Sequence, residues 1–203
     1  VLEGIAALKE REKKITFYPF ILMDIQTGNG LIDPYRGVAE QSEIPWRGRI
    51  TTRLAPNVAG SSDGTLAARV EVDQFFGSAS VADFAVSGQT VSYTGAAEWS
   101  YRRFILHYAH LCALAGEVDA FCIGTELRGL TQIRGEAGSF PVVEHLVQLA
   151  RDVRVILGAD VKIGYAADWS EYFGYQPQDG SGDIYFHLDP LWSDGDINFV
   201  GID

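Results

Sequence analysis

The sequence predicts an α/β fold, a (β/α)8 barrel (TIM-barrel-like) that is incomplete in this chain, and two observations carry that prediction. Amphipathic helices alternate with short apolar strands, which implies parallel βα units with right-handed crossovers. Four strand-like runs are each followed by a carboxylate: Asp24, Glu126, Asp168 and Asp203. In a barrel those four ends ring one mouth, the face on which barrel enzymes carry their sites. An open doubly wound sheet also satisfies the alternation, but its glycine-rich phosphate-binding turn is missing after the first strand. Four strands make half a barrel. Residues 1–203 therefore read as a single partial domain, with further strands expected outside them.

Each element has its own signal. Val1, Ile5 and Leu8 recur at helical spacing among Lys and Glu, predicting an amphipathic helix over 1–13. ITFYPFILM, 15–23, has the β-branched and aromatic content of a strand and leads to Asp24. Residues 27–62 are rich in Gly, Asn, Asp and Pro and far exceed a usual connection of about 4–6 residues, so they are expected to be functional or mobile. Asp63 is placed to cap a helix in which Ala68, Val72, Phe75 and Phe76 share a face and which stops at Gly77. FAVSGQTVSY reads as a hairpin turning at Ser87 to Gln89. Tyr101, Phe104, Ile105, Tyr108, Leu111, Cys112 and Ala115 hold one helical stripe. The next run, AFCI, is apolar on both faces, as in a parallel strand covered on each side, and Gly124 and Thr125 turn the chain into Glu126. A helix is expected from Pro141 to the stop at Gly158, then VKIGYAA ending at Asp168 and INFVGI ending at Asp203.

Composition limits the partners. With 203 residues and 47% hydrophobic content the chain can bury one core. Sixteen Lys and Arg against 27 Asp and Glu give a net charge of −11, and from Gly158 onward nine acids face one base, Lys162. Such an acidic end disfavours nucleic-acid phosphate or an anionic membrane. No apolar run approaches the roughly 20 residues of a membrane span, so membrane insertion is not expected. No leader is recognisable; the chain opens without Met inside a helical pattern and reads as a piece of something longer. Cys112 and Cys122 sit in apolar stretches as buried thiols. No metal or cofactor is expected. DGSGD begins like a calcium loop but places Ile184 and Pro190 where glycine and glutamate belong, and His107 and His110 lack a carboxylate at matching spacing.

Carboxylates at one mouth suit glycoside chemistry. One protonates the leaving oxygen while another attacks the sugar carbon or activates water, and clustered acids raise one another's pKa. Glu126 is a candidate for chemistry or binding; the alternative is a solvated loop residue or a pair with Arg128. Asp24 and Asp203 have the alternative of capping helices or pairing with Arg. Between Asp168 and Asp196 lie Trp169, Tyr172, Phe173, Tyr175, Tyr185, Phe186 and Trp192, with His187 and Asp189 among them. Aromatic faces stack on sugar rings while polar neighbours bond hydroxyls, so this stretch reads as a glycan platform or else as a satellite cluster pinning a loop. Trp46 with Arg47 and Arg49 forms a second candidate wall, in which Arg binds an acidic sugar or pairs with acidic loops.

Several longer blocks carry a family resemblance: ITFYPFILMDI, PWRGRIT, RRFILHYAHLCALAGEVDAFCIGTELRGLTQIR, YAADWSEYFGYQPQDGSGDIYFHLDPLW and INFVGID. They resemble the TIM-barrel-like domain of gene transfer agent and prophage tail proteins, the tail-tip or host-specificity components. That domain is in turn similar to retaining glycoside hydrolase barrels of the mannanase type, whose acid/base Glu follows the fourth strand. The resemblance implies that FCIGTE supplies this group as Glu126, and that the nucleophile lies on a strand beyond Asp203. It further implies a virion or gene transfer agent tail particle as location, with cell-envelope polysaccharide or peptidoglycan and other tail proteins as partners. Asp24, Trp46, Arg47, Asp168, Trp169, His187, Asp189, Trp192 and Asp203 are then expected to bind substrate. The alternative is a non-catalytic carbohydrate-binding or structural tail module.

Overall fold

The structure is a computed structural model that describes residues 1–116 and 118–203. In chain order its strands are β1 (Thr16–Phe17), β2 (Ile32–Asp33), β3 (Val38–Ala39), β4 (Phe84–Ser87), β5 (Thr90–Tyr93), β6 (Ala120–Thr125), β7 (Lys162–Ala167) and β8 (Phe199–Ile202). Its α-helices are α1 (Leu2–Lys9), α2 (Leu66–Phe76), α3 (Tyr101–Leu114), α4 (Arg128–Thr131), α5 (Pro141–Leu157) and α6 (Asp189–Trp192). β1, β6, β7 and β8 form one sheet in that order, every neighbouring pair parallel, and the sheet does not close. β2–β3 and β4–β5 are separate antiparallel ladders.

The core lies on one face of the parallel sheet. Phe121 and Ile123 of β6 and Ile163, Tyr165 and Ala167 of β7 alternate onto that face and meet Ile105, Ala109 and Cys112 of α3 and Leu146, Leu149 and Val153 of α5. The opposite face carries small residues. Phe199 lies so close over Gly164 that a Cβ there would meet its ring at 2.5 Å. Cys112 and Cys122 are buried free thiols, and burial pushes each up to about 12. The helices end as their sequences dictate: Ser100 accepts from the Arg103 N–H (3.3 Å) at the start of α3, and Pro141 opens α5, which stops at Gly158 with φ 76°.

Three expectations are corrected. The strand over 15–23 shrinks to Thr16–Phe17, because Pro19 follows two residues later and has no N–H to offer a ladder. The first helix ends at Lys9 rather than Lys13: Glu12 takes φ 54° and the Lys13 N–H returns to the Leu8 carbonyl (3.1 Å), closing the helix. The cap of α2 is Thr65, whose hydroxyl accepts from the Ala67 N–H (3.2 Å), while Asp63 pairs instead with Arg134. A fork of guanidinium donors outbids a single backbone N–H for that carboxylate.

Candidate functional site at the strand ends

Glu126 follows β6 directly and owes its aim to backbone irregularity. Cys122 pairs with Gly164 and Thr125 with Ala166, so β6 carries one residue more than β7 between these points. Glu126 then enters the left-handed region at φ 47°, its N–H donating to the Ala166 carbonyl (2.8 Å), and the Leu127 N–H donates to the Tyr165 hydroxyl (2.9 Å). Among the described residues four other non-glycine residues have positive φ, all outside the parallel sheet: Glu12, Ile44, Asn57 and Ala137. Holding a glutamate in this conformation costs about 1 kcal/mol. The Glu126 carboxylate makes an ion pair with Arg47, the two side chains being 15% and 19% exposed, and the same guanidinium lies over the Phe20 ring at 4.9 Å.

Arg47 reaches Glu126 because the 27–62 segment is pinned to α4. A short 3-10 helix, Arg47–Arg49, packs on α4 where Gly129 comes so close that a Cβ would lie 2.6 Å from the Ile50 carbonyl oxygen and 2.7 Å from that of Gly48. Both obstacles are backbone. Gly129→Ala is therefore expected to destabilise the fold by about 1–3 kcal/mol and to expose 27–62 to proteolysis. Thermal unfolding and limited trypsin digestion check this; an unchanged Tm with an unchanged digest would refute the pinning.

Asp203 sits across the mouth in a network joining three strands. The Tyr18 hydroxyl donates to the Asp203 carboxylate, Thr125 Oγ1 lies 3.2 Å from the same oxygen, and Tyr18 and Thr125 are 2.5 Å apart. Burial, and after it the hydrogen bond to Asp203, pushes Tyr18 up to about 12. Asp168 turns inward as a cap. It accepts from the Ser170 N–H (3.0 Å), and Glu171 reciprocates by accepting from the Asp168 N–H (2.8 Å).

Glu171 itself escaped the sequence reading. It is 2% exposed, takes the Thr131 hydroxyl at 2.5 Å and the Tyr165 hydroxyl at 3.3 Å, and is pushed up to about 7, by burial above all. The only signal for it was the Asp168-x-x-Glu171 spacing of a capping box just past a strand.

A cleft of about 600 Å³ opens between the two long segments; Gly48, next to Arg47, and Arg128, two residues after Glu126, line it, while Glu126 and Arg47 themselves do not. One wall is Tyr35, Gly48, Ala55 and Asn57; the other is Trp169, Phe173, Tyr175, Gln176 and Gln178, and Arg128 and Gln132 belong to α4 and its end between them. Trp169 is 65% exposed, 6.2 Å from Phe173. The Trp46 ring lies over Gly48 and does not line the cleft.

The remaining candidates lie elsewhere. Asp24 is exposed, with no ion pair or hydrogen bond among the described residues. His187 is buried between Phe140 (5.4 Å) and Tyr175 (6.1 Å), and desolvation brings it down to about 4. Asp189 opens α6 in solvent, and Trp192 packs on Tyr165 (5.8 Å) within the core. Asp179 of DGSGD pairs with Arg134 (2.7 Å). Among the described residues no three His, Cys, Asp or Glu gather as metal ligands, and no helix is long and apolar enough to cross a membrane.

An unclosed parallel sheet, helices on its flank and carboxylates at the C-terminal strand ends define a TIM-barrel-like α/β protein. Residues 99–203 match the GTA TIM-barrel-like domain, GTA standing for gene transfer agent, and the chain belongs to that family. The matched segment contains α3, β6, α5, β7 and β8; the ITFYPFILMDI and PWRGRIT blocks precede it. No curated protein matches the chain.

Proposed function

We propose that this chain belongs to a particle-associated tail-tip module that engages a host cell-envelope glycan in the cleft beside Glu126. The observation that carries the proposal is the cleft itself: an aromatic wall of Trp169 and Phe173 facing side-chain amides, on the face of the sheet where barrels hold ligands. Indole and phenyl faces stack on the apolar faces of sugar rings, and the amides of Asn57, Gln132 and Gln176 suit hydroxyls that both donate and accept. The family assignment supports a particle-borne role.

Glu126 is the group for acid/base chemistry in this reading. To protonate a leaving oxygen it has to exchange its Arg47 partner for substrate, and retaining hydrolysis needs a second carboxyl about 5 Å away. The ion pair also favours a second reading, a module that binds glycan without cleaving it. One experiment separates them. In the full-length protein, Glu126→Gln is expected to abolish cleavage of envelope polysaccharides while leaving binding within about threefold, since the amide keeps the size of the acid but cannot donate its proton. Trp169→Ala is expected to weaken binding about tenfold through lost stacking. Binding with no cleavage by the parent protein leaves the adhesin; binding indifferent to Trp169→Ala removes the cleft from either reading.

A further inference from the structure

The cleft is electrostatically unlike the chain that forms it. The protein carries −11 overall, yet among the described residues no Asp or Glu lines the cleft, and the charged side chain that does is Arg128. Neighbouring arginines are occupied: Arg47 by Glu126, Arg49 by Asp33 at 3.4 Å, and Arg134 by Asp63 and Asp179, each at 2.7 Å. Arg128 is exposed and, among the described residues, its guanidinium makes no ion pair or hydrogen bond. It stands between the walls. Burial raises the hydroxyls of Tyr35 and Tyr175, and Arg128 is among the charges opposing that rise on both sides of the opening. A planar fork of donors beside the Trp169 and Phe173 rings matches a sugar whose ring stacks while its carboxylate projects from the edge.

We infer that the cleft selects a glycan bearing a carboxylate, a uronic-acid type of sugar, and that Arg128 is the residue that reads it; this rests on the glycan reading above. In a chain of this charge an anionic ligand is repelled at long range, so a cation with no protein partner inside a carboxylate-free cleft supplies the local attraction that selection of an acid requires. A neutral sugar gains no such partner from Arg128.

The test titrates the full-length protein with oligogalacturonate, oligoglucuronate and oligomannuronate, and with the methyl ester of each, which keeps the sugar and removes its charge. Neutral chito-oligosaccharides complete the panel. At least one acid is expected to bind about tenfold or more tighter than its ester. Arg128→Gln is expected to bring that ratio to about one, and Arg128→Lys, which keeps the charge without the fork, to restore part of it. Equal binding of acids and esters, or a ratio that Arg128→Gln leaves standing, overturns the inference while the glycan reading survives. If neither acids, esters nor neutral oligomers bind, the glycan reading falls with it.

Discussion

Arg134→Ala is expected to lower stability by about 3 kcal/mol and to loosen both walls of the cleft at once. The Arg134 side chain donates through Nε (3.0 Å) and Nη2 (2.7 Å) to Asp63, whose other oxygen takes the Arg134 N–H (2.7 Å), and through Nη1 to Asp179 (2.7 Å). Asp63 ends the long segment that forms one wall, and Asp179 follows the residues of the other. The Asp63 side chain is only 6% exposed, so deleting the guanidinium strands a desolvated carboxylate, and that penalty outweighs the modest net worth of the pair. For a chain of this size the loss corresponds to a fall in Tm of about 6–12 °C. Arg134→Lys, with one charge and no fork, should fall between. A change of less than about 2 °C in the alanine variant would show that the clamp carries no such load.

The second large effect is a pair of opposed pH dependences. Glu171 is held at about 7 against an ordinary 4.5, so between these values the unfolded chain has released a proton that the folded chain keeps, and stability falls as pH rises. His187 is held at about 4 against an ordinary 6.5; between these values the unfolded chain binds a proton that the folded chain refuses, and stability falls as pH drops. Each contribution is on the order of 3 kcal/mol across its window, so the two largely cancel between about pH 4.5 and 6.5. Single variants separate them. Relative to the parent, Glu171→Gln should gain stability progressively from pH 4.5 to 7, whereas the relative stability of His187→Phe should decline from pH 4 to 6.5. Urea midpoints at four or five pH values measure both. Difference curves of the same sign, or flat ones, would contradict the assignment.

The parallel sheet and its two long helices were readable because each rests on local periodicity. The Tyr101 stripe and the stripe after Pro141 repeat every three to four residues, and AFCI and IGYAA carry no charged residue on either face because both are covered. In the 15–23 run Pro19 outweighs the aromatic and β-branched content and leaves a strand of Thr16–Phe17. Glu126 was legible as a strand-end acid, but not its partner, since Arg47 arrives through the contact of Gly48 with Gly129, which no local pattern records. The aromatic run after Asp168 was equally mute about direction. Packing of α5 and α6 decides that Trp169 and Phe173 face the cleft while His187 and Trp192 turn to the core. Glu171 is held in the interior by the hydroxyls of Thr131 and Tyr165, and neither is its sequence neighbour.

A glycine at position 126 would adopt φ 47° without steric penalty, so the glutamate found there reduces the ratio of folded to unfolded molecules roughly fivefold for its about 1 kcal/mol of strain. Glycine or asparagine would relieve that strain, yet either would leave the partly buried Arg47 without its carboxylate. The backbone angle is thus the local cost of standing a carboxylate, rather than a bare turn, at the end of the central strand.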